Sequence, residues 1–557
     1  MENKLNIAII LDNKKLMKYQ KEIFEMLLLS EYCTVTYVIY KQSSPKEDKH
    51  KFSYFLYAAY KKFDRFVFGR GLQNLHFHTI NDLIKNIKEV YLPIVNKGEY
   101  DYISQNNMES LVSYDIDVMV DFSKYITIGT LSKFPKYGLW RLMHTYEPAG
   151  FWEVIESQPY TEMTLQKISD TLSGGVIIDS YRTITDQKSP LRNLDIITWR
   201  SHMLIEQNLK KLYNNQDTFL KNKVSHITFP DKLLSSELRQ LDVMLHYRGD
   251  ERKIVPNNYQ MIGILFKVSM KFCKIFFRKY FTKFQWSLMY IENDTKEINF
   301  SLLEYKKLLP PRKDLFWADP FVIDEGEKSY IFYEEFSSFT KGILCVIVYD
   351  AAQKIFSDPK EIMNQEYHLS YPFIFNYNGA YYMIPETAQN KTIDLYKAKE
   401  FPYKWEKIKS FFNNIVAVDT MIHYYNNKWW MFTNITPKDG FSNKDELYIY
   451  YCDNFLEDEW MPHVLNPVIT DVTVARNAGK IIEKEGVLYR PSQYCGGSYG
   501  RLLNINKIET LNELEYKETL VGRTSTCFDE GLEGMHTLNS SKRLTIIDVA
   551  TRWFSFK

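Results

Sequence analysis

The stretch Tyr371–Ala398, YPFIFNYNGAYYMIPETAQNKTIDLYKA, decides how the second half of the chain folds. It holds a short apolar run, a Tyr-Asn-Gly turn, an aromatic run ending in Pro-Glu-Thr, and a third run, TIDLYKA. Short runs rich in aromatic and β-branched residues, punctuated by Asn-Gly, are antiparallel strands in the making. The same order occurs upstream in WADPFVIDEGEKSYIFYEEF (317–336) and GILCVIVYD (342–350). It recurs downstream in DTMIHYYNNKWWMFTN (419–434) and ELYIYYCD (446–453). Anchors at Pro320, Pro372, Thr420, Asn477 and His536 are spaced by 52, 48, 57 and 59 residues. A period near 50 with several strands per unit is the signature of a β-propeller, and five units fill residues 291–557. The spacing predicts a five-bladed, all-β propeller.

The first half has a different rhythm. LNIAIIL and CTVTYVIYK alternate with helix-like KLMKYQKEIFEMLLLS and NDLIKNIKEV, and VMVDFS closes on a buried strand. This alternation predicts an α/β domain over 1–245 with a mainly parallel, Rossmann-type sheet. No G-x-G-x-x-G follows the first strand, so a dinucleotide fingerprint is absent. Residues 246–290 form the connection. Within them, 261–283 carry six basic residues and no acid. Lys267, Lys271, Lys274 and Arg278 recur at helical spacing and leave Ile264, Leu265, Val268, Phe272, Ile275 and Phe276 toward the other side. Two readings follow: an interdomain helix packing that stripe on a neighbour, or an amphipathic helix on an anionic membrane surface.

The chain has 557 residues, 70 basic and 69 acidic, for a net charge of +1. That balance gives no argument for a nucleic-acid partner. The six cysteines are scattered without a C-x-x-C pair or a metal-type cluster, so the expectation is reduced thiols and no metal site. The opening apolar run IAIIL is too short for a signal-peptide core. No run reaches the roughly 18 apolar residues of a spanning helix. The expected location is the cytoplasm, or the inner face of the membrane as a peripheral protein.

In a propeller the innermost strands line a central channel, so residues at their starts converge. Those starts carry Asp319, Tyr371, Asp419, Arg476 and His536. Following strands and loops bring Glu334, Glu335, Glu386, Arg490, Gln493 and Tyr499, with Trp317 beside Asp319. Carboxyls on opposite walls of one pocket can share proton transfer at a glycosidic oxygen. Asp319, Glu386 and Asp419 are therefore the catalytic candidates. Trp317, Glu335, Tyr371, Arg476, Arg490, Gln493, Tyr499 and His536 are the substrate-binding candidates. Glu334 is taken as a solvated partner.

FWADPF, YIFYEEF, YYMIPET, WWMFTN, ARNAG, LYRPSQ and GMHTLN, taken in order over about 300–557, carry a family resemblance. They resemble the propeller domain at the N-terminus of plant glucosamine inositol phosphorylceramide transferases and of many bacterial glycan-locus proteins. That domain is similar in turn to the five-bladed glycosidases of the arabinanase/xylosidase type. The resemblance implies Asp319 as general base and Asp419 as the residue tuning a pKa. Glu386 is the match for the general acid, although it lies in the second repeat. Residues 133–178, KFPKYGLWRLMHTYEPAGFWEVIESQPYTEMTLQKISDTLSGGVII, resemble the core of formyltransferases that use 10-formyltetrahydrofolate. Their G-x-x-N-x-H and L-D-x-G-D motifs place Arg141 at the Asn position and Met143 at the His position, with His144 one residue late. Ser173 and Val176 fall at the two Asp positions. Methionine transfers no proton and valine orients no base, so the resemblance implies a degenerate formyltransferase-like domain.

The leading expectation is an enzyme of bacterial surface-polysaccharide biosynthesis, with glycosyl transfer in or near the propeller pocket. A sugar-nucleotide donor is its candidate cofactor, and a carbohydrate or sugar nucleotide its substrate. The alternatives are a propeller glycoside hydrolase, a sugar-amine formyltransferase with the wrong catalytic positions, and a non-enzymatic glycan-binding scaffold.

Overall fold

The computed structural model describes residues 4–42, 54–72, 74–96, 100–103, 111, 114–146, 148–168, 176–224, 255–293, 305–337, 340–436, 442–524 and 532–554. The chain divides into two compact units, Met1–Ser269 and Met270–Lys557.

The first unit is built on seven strands: β1 (Leu5–Leu11), β2 (Cys33–Gln42), β3 (Lys88–Pro93), β4 (Val118–Asp121), β5 (Leu139–His144), β6 (Tyr160–Ile168) and β7 (Val176–Ile184). They lie in the order β7-β6-β5-β4-β1-β2-β3. The pairings from β3 to β5 are parallel and the last two, β5 with β6 and β6 with β7, are antiparallel. The sheet is therefore mixed. Both faces of β1 are covered, which explains its unbroken apolar run. Ile7, Ile9 and Leu11 join one core with Phe24 and Trp140, while Ala8 and Ile10 join another with Met119 and Leu139.

Helices α1 (Lys18–Leu29), α2 (Phe55–Phe68), α3 (Pro190–Arg200) and α4 (Met203–Val224) complete the elements of this unit used below, and α5 (Asn258–Phe281) runs across the boundary between the units. The segment NDLIKNIKEV is not the helix its spacing predicts. Residues 81–87 form turns closed by Leu83 N–H to Ile80 and Ile87 N–H to Ile84, and Lys88 opens β3. Its β-branched end, pairing with β2, outweighs a helical pattern only one turn long.

The second unit is a five-bladed β-propeller. Blade one contains β8 (Leu315–Glu325), β9 (Lys328–Ser337) and β10 (Ile343–Asp350), with short edge strands at Ile355–Phe356 and Lys360–Met363. Blade two is Ser370–Tyr377, Ala380–Thr387, Thr392–Glu400 and Lys404–Asn413. Blade three is Ala417–Tyr425, Lys428–Ile435, Tyr448–Cys452 and Met461–Pro462. Blade four is Ile482–Lys484, Val487–Tyr494, Leu502–Leu511 and Tyr516–Arg523. Blade five draws on both ends of this unit. Thr282–Glu292 pairs along its whole length with Leu544–Phe554, which also pairs with Leu532–Gly534 and Leu538–Ser540. The ring is thus closed by strand pairing, which leaves no exposed pair of edges where the chain enters and leaves. The closing strand Thr282–Glu292 falls almost wholly within the segment 246–290 read from sequence as the connection, and runs two residues past it.

Candidate active site in the propeller

Three blades present their first strand through the same backbone device. Pairing slips between Ala318 and Phe321, between Ser370 and Phe373, and between Val418 and Met421. Within each slip one residue is left-handed: Asp319 at φ 50°, Tyr371 at φ 44° and Asp419 at φ 50°. A bulge re-aims a side chain, and a non-glycine residue is held left-handed only where its surroundings over-determine it. This explains why the D-P-F, Y-P-F and D-T-M motifs recur at one period.

The re-aimed carboxyls converge on a cavity of about 210 Å³. Asp319, Glu334, Glu386, Asp419, Arg476, Tyr499 and His536 line it, together with Trp286, Phe336, His368 and Ser370. Of the sequence-predicted residues, Asp319, Glu386, Asp419, Arg476, Tyr499 and His536 are brought together. The other five are not in the wall, for identifiable reasons. Trp317 packs in the core of the first blade and donates its indole N–H to Glu335 at 2.7 Å, so both face away from the cavity. Tyr371 is buried and its hydroxyl accepts the Gly479 N–H at 2.8 Å. Arg490 is held by two bonds to Glu518, at 2.6 and 2.8 Å, inside blade four. Gln493 stands behind the wall, donating to Asp419 at 3.0 Å and to the Asn477 carbonyl at 2.8 Å.

Glu334, read as solvated, is instead a buried wall residue paired with His368 at 2.8 Å. Strand parity separates it from Glu335: Trp317 lies opposite Glu335 and Ala318 opposite Glu334, so adjacent glutamates take opposite faces. Trp286, His368 and Asp548 carried no motif. Asp548 could have been found as the lone carboxylate in the apolar run LTIIDVA.

Each cation at the site faces a carboxylate. Arg476 clasps Asp419 through Nε at 2.6 Å and Nη2 at 3.3 Å, while its Nη1 donates to Asn443 at 2.8 Å. His536 Nδ1 pairs with Asp548 and stands 3.8 Å from Asp319. Asp548 also accepts the main-chain N–H groups of His536 and Thr537 at 2.9 Å and of Asp319 at 3.0 Å. Thr537 donates its hydroxyl to Asp319 at 2.8 Å. The His536 ring stacks on Trp286 at 4.0 Å between centroids. Gly500, at φ 57°, allows the close approach behind it, since a Cβ there would stand 2.8 Å from that of His536.

Burial and crowding set the protonation. Burial pushes Asp319 up to about 7, with His536 opposing and Glu334, Asp419 and Asp548 adding to the rise. Glu386 is pushed well above the usual carboxylate range by burial and by Asp419. Burial opposes the charge on His536, but Asp548 and Asp319 outweigh it and raise the imidazole to about 9. The site therefore holds two carboxyls pushed up by burial and crowding, Glu386 and Asp319, and a carboxylate clasped by a guanidinium. That set can donate and accept protons at neutral pH. Donor atoms of Asp319, His536 and Asp548 lie within 4.8 Å of one another, as metal ligands can. The Asp548 oxygens, however, already accept three main-chain N–H groups and His536, which describes a hydrogen-bonded ion cluster.

The formyltransferase-like positions do not gather in the first unit. Arg141, at the Asn position, is paired with Asp121 at 3.0 Å. His144 is half-buried, and desolvation lowers its imidazole to about 4. Val176 pairs opposite Lys167, which faces Trp140, whereas Met143 and His144 lie opposite Thr164 and Met163. Val176 is thus two strands away and about 10 Å along from the end of β5.

Residues 311–551, less than half of the chain, match the family model described as glucosamine inositolphosphorylceramide transferase 1, N-terminal. The chain is 34% identical over 212 residues to glucosamine inositolphosphorylceramide transferase 1 of Oryza sativa subsp. japonica, covering 37% of this chain and 28% of that protein. For the Arabidopsis thaliana protein of the same name the values are 35% over 214 residues, 37% and 27%. The match thus spans little more than a quarter of the length of these relatives. Among solved structures, the catalytic domain of the Coprinopsis cinerea GH62 α-L-arabinofuranosidase aligns at 12% identity and TM-score 0.32, over 47% of this chain and 97% of that one. The family 117 glycoside hydrolase Zg3597 of Zobellia galactanivorans aligns at 10% and 0.31, over 48% and 90%. What the chain shares with the plant transferases is their N-terminal region, and the shared stretch contains Asp319, Glu386, Asp419, Arg476 and His536.

Proposed function

We propose that the propeller pocket takes a single sugar ring and serves glycosyl transfer, with Asp319 as the proton acceptor and Glu386 as the proton donor. The observation that carries this reading is the convergence of Asp319, Glu386 and Asp419 on one ring-sized cavity, the first two pushed up from the usual carboxylate range. At about 210 Å³ it is smaller than the 300–1,000 Å³ typical of drug-sized ligands, which suits one ring and its hydroxyls. Tyr499 and Trp286 supply aromatic surface, and a sugar's C–H face packs well on such rings. Arg476, His536 and His368 are each engaged with a carboxylate. None is left to clamp a phosphate, so the occupant we favour is a neutral or amino sugar and not a nucleotide diphosphate. The relatives' name pairs glucosamine with a ceramide-linked inositol phosphate, and a glycolipid sugar of that class is the substrate we put forward. A surface-polysaccharide setting is part of this proposal, and a sugar-nucleotide donor would seat only its sugar ring in the pocket, with its diphosphate outside the wall. For the first unit we propose a formyltransferase-like fold without formyl transfer, because Arg141, Met143 and Val176 offer no proton-handling group.

In the forward step Asp319 would take the proton of the attacking hydroxyl as the new glycosidic bond forms, and Glu386 would protonate the departing oxygen. Hydrolysis uses the same pair with water as the nucleophile, and the same protonation pattern favours it as the second reading. The test is incubation of the full chain with sugar nucleotides and glycolipid acceptors, reading products by mass spectrometry. A transferred sugar that disappears in Asp319→Asn and Glu386→Gln supports transfer. Free sugar released from glycosides moves the assignment to hydrolysis. A product indifferent to both substitutions overturns the pocket assignment.

A further inference from the structure

Glu334 is a wall residue that the proposed proton transfers leave unused. Its side chain is only 6% exposed, and its one side-chain partner among the described residues is His368, whose Nε2 stands 2.8 Å from Oε1. Oε1 is itself buried, and Glu334 lines the cavity, so the oxygen that meets the cavity is Oε2. No donor among the described residues reaches Oε2. A buried acceptor with no protein donor is costly, and in a cavity wall it marks a group that a ligand completes. Glu335, on the opposite face of the same strand, takes the Trp317 indole N–H and lines no cavity. Glu334 also lies close enough to Asp319 and Glu386 to raise both carboxyls, which places it beside the proposed reacting centre.

The pair is fixed from behind. The Gly342 N–H donates to His368 Nδ1 at 2.9 Å, and the Leu369 N–H donates to the Gly342 carbonyl at 3.0 Å. The His368 N–H donates to the Gln389 side chain at 2.9 Å. With Nδ1 accepting a main-chain N–H, the imidazole proton lies on Nε2, toward Glu334. Glu334 pushes this imidazole up from its ordinary value, but a second proton on Nδ1 would point at the Gly342 N–H. Gly342 is needed for its missing Cβ. One built there would stand 2.4 Å from the Leu369 carbonyl oxygen and 2.7 Å from both Glu334 Oε1 and His368 Cε1. A glycine, a ring in one tautomer and a set of main-chain bonds thus aim a single carboxyl, the kind of support that holds a binding group in one geometry.

We infer that Glu334 is a specificity-determining residue, whose Oε2 accepts a hydrogen bond from one hydroxyl of the seated sugar, and that His368 is the positioning residue that aims it. The inference rests on the reading of the cavity as a sugar site. The ligand class it names is a sugar with a free hydroxyl at the ring position facing Glu334. A sugar lacking that hydroxyl leaves the acceptor unmet, and an anionic substituent there is repelled.

The experiment is calorimetric titration of the full chain with glucose, galactose, mannose and glucosamine, then with each monodeoxy analogue of the tightest binder. The wild type should bind one analogue of the series about 10- to 100-fold more weakly than its parent, the range set by one hydrogen bond to a carboxylate. In Glu334→Gln the amide carbonyl turns to the His368 N–H and an NH2 group faces the cavity, so that analogue and its parent should bind alike. His368→Gln can still donate to Glu334 and accept from Gly342, and should keep part of the discrimination, whereas His368→Leu should lose it. The ratio of two affinities in one variant is unaffected by a general loss of stability, so a purely structural role would not move it. Equal binding of every deoxy analogue by the wild type, or the same ratio in Glu334→Gln, would overturn the inference and leave the sugar reading standing. An unchanged ratio in His368→Leu would overturn the role of His368. Absence of binding by all the parent sugars would overturn the inference together with the sugar reading.

Discussion

Both units bury ion pairs, and they do so to opposite ends. In the first, Asp121 accepts the Ser123 N–H and hydroxyl, the Thr127 hydroxyl at 3.1 Å and the Arg141 guanidinium at 3.0 Å. Burial raises its pKa, but Arg141 and Lys41 more than offset this and the carboxyl is held below its usual range. In the propeller, Asp319, Glu334, Glu386, Asp419 and Asp548 meet Arg476, His536 and His368. Carboxyls outnumber partners there, and Glu386 and Asp319 are pushed up. A cluster that closes on itself serves the fold. A cluster with carboxyls left over, arranged round a cavity, is a candidate functional site.

The comparison is most sharply tested by neutralising one carboxyl in each unit. Asp319→Asn and Glu386→Gln should lower transfer by about 10²–10⁴-fold, with stability held or raised because buried carboxyl crowding is relieved. An equal loss of stability would place them with Asp121 as structural groups. Arg141→Met should do the reverse. It leaves Asp121 buried with its main counter-charge gone and costs about 3–5 kcal/mol, read as lost hydrogen-exchange protection in β4 and β5, while sugar binding by the propeller is unchanged.

The third test uses pH. His536 is raised from about 6.5 to about 9 in the folded state, so its contribution to stability is full below about 6.5 and is lost as pH rises through 9. Thermal unfolding of the wild-type propeller should therefore weaken between these values, and His536→Gln should flatten that slope. The smallest effect is expected at Glu335→Gln, which keeps an acceptor for Trp317. It should cost no more than about 0.5–1.5 kcal/mol and leave sugar binding intact. Glu334→Gln, one residue away, should alter sugar binding through His368.

Much of the propeller was legible because its signals are periodic: the D-P-F, Y-P-F and D-T-M motifs mark bulges, and a bulge fixes where a side chain points. Asp319 and Asp419 stand out this way, while Arg476 and His536 follow from the same period without such a bulge. What escaped lacks a period. Trp286 sits on the closing strand, whose partner is some 260 residues later, as the pairing of Trp286 with Ala550 shows. Glu334 and Glu335 are adjacent, and only the opposing strand reveals which faces the cavity. Tyr371 had the right position but a larger side chain, whose hydroxyl reaches past the cavity wall to Gly479. In the first unit the strand alternation foretold a mainly parallel sheet, and the pairings from β3 to β5 are parallel, whereas the antiparallel β6 and β7 need pairing information that apolar runs alone do not carry.

We propose that the pocket's surplus carboxyls bind a sugar. The direct measurement is calorimetric titration of glucose, glucosamine and glucose 1-phosphate into the full chain and into Asp419→Asn. The account predicts saturable binding of a neutral or amino sugar, weaker or absent binding of the phosphate, and loss in the variant. Tight binding of the phosphate, or sugar binding unchanged in Asp419→Asn, would contradict it.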